Sequence, residues 1–187
     1  MHNMHDSARK QAEAIWRAGV RAVQPANCVP AALRPLAALT QGWQANKPYR
    51  VIGGGKAGAA MAQATESFLL SQGIPGENLE GWVNIPEGSA VAALQRIHLH
   101  PSRPAGYNFP TPAAVAGTEA MLKLIENAPW DAVILCLISG GGSAILSAPT
   151  VPLEDKLTIS RMLTAAGANI RELNTVRKHL SRFKGGQ

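Results

Sequence analysis

The sequence predicts an α/β protein built on a doubly wound, mainly parallel sheet. Three observations carry that reading. Short apolar runs alternate with stretches of helical periodicity along the chain. Two of the runs end in glycine-rich turns, Gly53-Gly54-Gly55-Lys56-Ala57-Gly58 after Tyr49–Ile52 and Ser139-Gly140-Gly141-Gly142-Ser143 after Asp131–Ile138. The segment Ala132-Val133-Ile134-Leu135-Cys136-Leu137-Ile138 is apolar throughout, as expected of a central parallel strand covered on both faces.

The elements follow in order. Asp6-Ser7 offers an N-cap, and Ala12, Ile15, Trp16, Gly19, Val20 and Val23 recur at helical spacing until Pro25 stops the helix. A proline-rich stretch follows, with room for a short helix over Ala31–Leu39. Tyr49–Ile52 is the first strand, and Lys56–Gln72 a helix with Ala60, Met61, Ala64 and Phe68 on one face. Trp82–Ile85 and Ile97–His100 are further strands, joined by an acidic turn and several alanines. Thr111-Pro112 opens a helix, a capping residue followed by proline at the first helical position. That helix runs to about Asn127 and is expected to bury Val115, Met121, Leu122 and Ile125. Two more helices cover Leu153–Ala166 and Ile170–Arg182. The result is a three-layer, Rossmann-like sandwich.

Composition narrows the function. At 187 residues, with 46% hydrophobic and 16% charged, the chain has material for one good core. Of the net charge of +6, about four units lie between Asn169 and Gln187, where Arg171, Arg177, Lys178, Arg182 and Lys184 face Glu172 alone. No aromatics interleave with these cations, so an anionic small ligand is favoured over nucleic acid. Cys28 and Cys136 are far apart and form no metal-ligand spacing; Cys136 is expected to behave as a small hydrophobe within its strand. No apolar run approaches the length of a membrane span and the first residues are polar, which points to a soluble, cytoplasmic protein.

The two turns concentrate the chemistry. Glycines at the end of a strand expose backbone N–H groups to a phosphate or carboxylate. Gly53, Gly55 and Gly58 fit G-x-G-x-x-G between strand and helix, but the acid expected to bind a ribose is displaced to Glu87. Lys56 within that turn suits a clamp on a carboxylate or a transferring phosphate. The turn Ser139–Ser143 lets a phosphate chain approach Gly140, Gly141 and Gly142 and adds two hydroxyls. It is not a nucleophile elbow. Asn174 and Lys178 share a helix face with Arg177 beside them, a placement that can neutralise developing phosphoryl charge. His98, His100 and His179 lack the companions of a metal site, and no metal ligands are assigned.

Together these segments resemble the glycerate 2-kinase family, the group with a MOFRL domain that also goes by the name hydroxypyruvate reductase. The matching pieces are Val51–Ala57, His100-Pro101, Leu137–Ala144, Leu153–Lys156 and Asn174–Ser181, with Lys184-Gly185-Gly186 after them. The resemblance implies phosphorylation of D-glycerate to 2-phosphoglycerate by ATP with Mg²⁺, in a cleft between two domains. It implies that Lys56 contacts the glycerate carboxylate or the transferring phosphate, that Ser139–Ser143 wrap nucleotide phosphates, and that Asn174, Arg177 and Lys178 hold phosphate or substrate. Members of the family are longer, so residues 1–187 correspond to the N-terminal Rossmann-like domain, with the C-terminal domain missing and the isolated piece expected to be inactive.

Two other readings remain open on the residues. One is an NAD(P)H-dependent hydroxypyruvate reductase, resting on G-x-G-x-x-G. The other is a non-catalytic module that binds an anion or nucleotide. A homodimer is compatible with the sequence, and neither a membrane nor a nucleic-acid partner is expected.

Overall fold

Four parallel strands form the frame. In the computed structural model, which describes residues 2–39, 41–89 and 93–186, β1 is Tyr49–Gly54, β2 Leu79–Pro86, β3 Ile97–Arg103 and β4 Val133–Ile138. They lie in the order β3-β2-β1-β4. Every pairing is parallel, with Gly53 opposite Val83 on one side and Leu137 on the other. The expected doubly wound α/β architecture is the one observed. The alanine-containing connection at 90–92 lies outside the described residues.

Helices cover both faces because the inner strands alternate apolar residues to each side. Val51, Val83 and Leu137 pack with Phe68 and Leu69 of α3 (Gly58–Ser71) and with Val29 and Leu33 of α2 (Pro25–Leu33). Ile52 and Trp82 point the other way, against Met121, Leu124 and Ile125 of α4 (Pro112–Glu126). Thr111 caps α4 as its sequence requires, its hydroxyl accepting from the Ala114 amide at 3.0 Å. The buried face of α4 is Ala114, Gly117, Thr118 and Met121; Val115, Leu122 and Ile125 are only half-buried. Small residues are needed there because a Cβ on Gly117 would stand 2.1 Å from Asn84 Oδ1.

Two buried polar networks fix the sheet. Glu66 of α3 accepts from the amides of Gln95, Arg96 and Ile97 at 2.9, 2.9 and 3.0 Å, pinning the start of β3. Asn84 Nδ2 donates to the carbonyls of Ala114 and Ile145 at 3.2 and 2.9 Å. This ties β2 to α4 and to the short helix α5 (Gly142–Ile145).

Three expectations change. The apolar strand β4 is at the edge of the sheet rather than its centre, with Ile134 and Ile138 39% and 62% exposed and Cys136 exposed beside them. A uniformly apolar run fixes strand character but not position in the sheet. The first helix, α1 (His2–Ala22), already begins at His2, so Asp6 and Ser7 lie inside it rather than capping it, and its apolar face is open: Ile15 and Trp16 are 74% and 66% exposed. Pro25 ends that helical run but also starts α2 at the first helical position, where its missing N–H costs nothing. Among the described residues no helix is long and apolar enough to cross a membrane.

α6 (Leu153–Ala165) and α7 (Ile170–His179) pack on each other beyond the carboxyl ends of the strands. A capping box starts α7, Asn169 Oδ1 accepting from the Glu172 amide while the Glu172 carboxylate accepts from Asn169. The chain then turns back onto the body. The Arg182 amide donates to the Ala148 carbonyl at 2.8 Å, and its guanidinium grips Glu119 of α4 through two bonds of 2.9 and 3.1 Å.

Candidate anion-binding site

The two glycine turns meet between β1 and β4, where the winding of the sheet reverses and ligands bind in folds of this kind. They are joined to each other. The Lys56 amide donates to the Gly140 carbonyl at 2.8 Å and the Ala57 amide to Ser139 Oγ at 3.1 Å. Gly55 and Gly58 amides are spent on Asn84 and Gly55 carbonyls. The first turn therefore keeps no free donors along Gly55–Gly58.

Gly53, Gly54 and Gly55 are buried, and their lack of a side chain serves close approach of strands. A Cβ on Gly53 would fall 2.0 Å from the Leu137 carbonyl oxygen, and one on Gly55 2.2 Å from Ser139 Oγ. The second turn is different. Gly140 and Gly141 are exposed, and among the described residues no acceptor meets either amide. Gly141 adopts φ +87°, a left-handed conformation that suits glycine.

Beside this turn lies a cavity of about 280 Å³. α6 gives it Lys156 and Ser160; α7 gives Asn174, Arg177 and Lys178; the returning chain gives Lys184; Ser143 and Asn108 complete the polar lining. Ser143, Asn174, Arg177 and Lys178 were expected from sequence to act at a site, and the fold brings them together here. Lys56 does not line this cavity. It is exposed next to Gly141, where a Cβ on that glycine would stand 3.3 Å from Lys56 Cγ.

The electrostatics are one-sided. Lys156 is 5% exposed and donates to Ser147 Oγ at 3.0 Å; burial, with the nearby Arg177, depresses its pKa. Lys184 donates to the Ser143 carbonyl at 2.7 Å, and its pKa is pushed down to about 8 by burial first, then by Lys156 and Arg177. Among the described residues no carboxylate lines the cavity to offset these charges. Cations crowded together against desolvation are a store of free energy that an incoming anion releases.

Arg103, at the end of β3, went unnoticed in the sequence, as did the cavity roles of Lys156 and Lys184. Arg103 is 2% exposed and stands on the Lys56 side of Gly141. Its signal was a cation closing a strand at the edge where ligands bind. Lys156 and Lys184 both sat inside the segments that carried the family resemblance.

The histidines have structural partners. His98 and His100 lie against Trp82, with ring centroids 4.1 and 5.4 Å away, and burial lowers the pKa of His98. His100 Nε2 is 2.9 Å from the Ala113 carbonyl oxygen, and His179 Nδ1 2.8 Å from that of Thr175. Among the described residues no group of three metal-ligating side chains occurs.

Residues 11–187 match the family described as "Domain of unknown function (DUF4147)". The chain is 36% identical to glycerate kinase of Homo sapiens across 95% of its own length and 36% of that protein's. It is 34% identical to glycerate 2-kinase of Pyrococcus horikoshii over 73% of this chain and 29% of that one. A protein of Agrobacterium vitis called putative hydroxypyruvate reductase is 39% identical over 73% of this chain and 30% of that protein. Among solved structures, glycerate kinase of Thermotoga maritima superposes with a TM-score of 0.80 at 29% identity, covering 97% of this chain and 40% of that one. The chain thus spans between 29% and 40% of the length of these relatives.

Proposed function

The chain belongs to the DUF4147 family, and on that premise we propose that it forms the anion-binding part of a cytoplasmic kinase that phosphorylates D-glycerate at its 2-hydroxyl with ATP. The observation that carries this reading is the cavity whose charged lining is wholly cationic, set against the turn with free Gly140 and Gly141 amides. Lys156, Arg177, Lys178 and Lys184 fit a polyphosphate, and two unspent amides extend the same cradle. Asn174 supplies a neutral polar contact on the same helix face.

ATP supplies the transferable phosphoryl group when bound. What this chain contributes is binding and charge. With a polyphosphate in the cavity, Arg177 and Lys178 would stand beside the transferred group, and fixed cations there stabilise a transition state that needs little covalent help from protein. Lys56, exposed beside Gly141 and outside the cavity lining, is the cation left for the acceptor acid. Mg²⁺ is a separate matter. The cavity lining has no carboxylate, so these residues do not fit a divalent cation, and no role in holding one is assigned to them.

The reductase reading loses its main support. In a dinucleotide fold the first glycine turn gives amides to the pyrophosphate, but here Gly55, Lys56, Ala57 and Gly58 have already donated theirs to protein acceptors. The test is ³¹P NMR of D-glycerate with MgATP, using the full-length gene product with this chain alongside. A 2-phosphoglycerate resonance establishes the kinase. Its absence, with NADH oxidised in the presence of hydroxypyruvate, replaces it by the reductase.

A further inference from the structure

Arg103, like Lys156, is a buried cation with only a neutral partner. Glu66 is buried with three amide donors, whereas Arg103 is 2% exposed with one neutral partner, Asn108 Oδ1 at 3.3 Å from Nη1. Its Nε is buried with no acceptor. Among the described residues no carboxylate pairs with it. A lysine in such a place can shed its proton, but a guanidinium cannot, so its charge stays uncompensated until an anion arrives.

The position says where that anion would sit. A methyl group added to Gly141 would lie 3.2 Å from Arg103 Nη2 and 3.3 Å from Lys56 Cγ. Arg103 and Lys56 therefore flank the exposed tip of the second turn, and neither is among the residues that line the polyphosphate cavity. Asn108 belongs to both, lining the cavity and orienting Arg103. The cavity has four cations and matches the more highly charged ligand. The Arg103 side has two, one of them a planar fork suited to a carboxylate.

We propose that Arg103, with Lys56, binds the carboxylate of the hydroxy acid that accepts the phosphoryl group. This rests on the kinase reading above and assigns its second substrate a place. Gly141 then serves both ligands, because a side chain there would crowd the guanidinium and the lysine stem together. The phosphoryl acceptor and donor then meet at one turn, bridged by Asn108.

D-Glycerate and MgADP are titrated separately into the chain and its R103K and R103M variants, following backbone amide shifts by NMR, with thermal unfolding in parallel. The expected result is a loss of about tenfold or more in D-glycerate affinity for both variants, with MgADP affinity within about twofold of the parent. R103M should unfold no earlier than the parent, since it removes an uncompensated charge. N108A, which leaves the guanidinium in place but unoriented, should weaken D-glycerate by a few-fold and serves if R103M does not fold. Equal D-glycerate affinity in parent and R103K overturns the assignment. So does equal loss of both ligands together with a lowered unfolding temperature, which marks a structural residue, and so does a parent chain whose amides do not respond to D-glycerate. The two readings separate cleanly. Arg103-dependent D-glycerate binding without phosphoryl transfer by the full-length gene product removes the kinase and keeps the carboxylate site. Transfer with an unchanged KM for D-glycerate in R103K keeps the kinase and removes the site.

Discussion

Lys184 Nζ reaches across 41 residues of sequence to donate to the Ser143 carbonyl at 2.7 Å, closing the cavity with the returning chain. Burial of the ammonium, then the two cations beside it, Lys156 and Arg177, push its pKa down to about 8.

A pKa of about 8, against an ordinary 10.5, means that the unfolded chain holds more protons than the folded one between those values. The ligand-free protein should therefore gain stability as pH rises from about 8 toward 10.5, the penalty being fully present below 8. An anion in the cavity reverses the preference, because it favours the charged lysine. Binding of MgADP near pH 8.5 should take up protons, and affinity should fall as pH rises above about 8. Calorimetry in buffers of different ionisation enthalpy measures this uptake, which Lys184→Met should remove.

Lys156→Met tests whether the cavity is built for an anion or for the fold. The ammonium is buried, bonded to Ser147 and repelled by Arg177. A methionine of similar volume should leave the unfolding midpoint unchanged or higher, while MgADP affinity drops by about tenfold or more. A marked loss of stability with unaltered affinity would assign Lys156 to the scaffold instead.

Glu66 has the opposite role. Its carboxylate satisfies three consecutive amides at the start of the strand that ends in Arg103. Glu66→Ala leaves those donors without an acceptor and should cost about 3 kcal/mol in urea unfolding, with Glu66→Gln costing less. D-Glycerate binding should weaken in the alanine variant as well, since β3 positions Arg103.

Glycines of the two kinds can be told apart by alanine substitution. Gly117→Ala would drive a Cβ to 2.1 Å from Asn84 Oδ1 and 2.5 Å from His100 Cδ2, so it should destabilise by about 1–3 kcal/mol. At Gly140 nothing lies within 4 Å of the added carbon. Gly140→Ala should fold with a stability within about 0.5 kcal/mol of the parent and lose anion affinity, since the methyl group blocks approach to the turn.

The fold was legible because its signals are local. Tyr49–Ile52 and Ala132–Ile138 declare themselves by apolar character, Thr111-Pro112 by capping chemistry, and the glycine turns by following strands. Residues of α7 that face the cavity were also legible, since Asn174, Arg177 and Lys178 share one helix and their spacing suffices. Arg103 was not, because its meaning depends on Gly141, which lies 38 positions away and belongs to another strand's turn. The place of β4 was hidden for a related reason. Strand order is decided by which neighbours pair with a run, and nothing in Val133–Ile138 records its neighbours. Nor did the apolar stripe of α1 disclose that its face would lie open, as a helical period reports an apolar side without reporting what covers it.

The edge position of β4 turns Cys136 into a built-in reporter. Cys136 is exposed between Ile134 and Ile138, with partial burial of its thiol raising its pKa, and the second thiol, Cys28, is exposed on α2. Alkylation of the two can be followed in one mass spectrum, with Cys28 as an internal clock. Any strand, helix or domain laid over β4 would slow Cys136 alone, so the rate ratio reads the coverage of that edge in an unlabelled and unmutated protein.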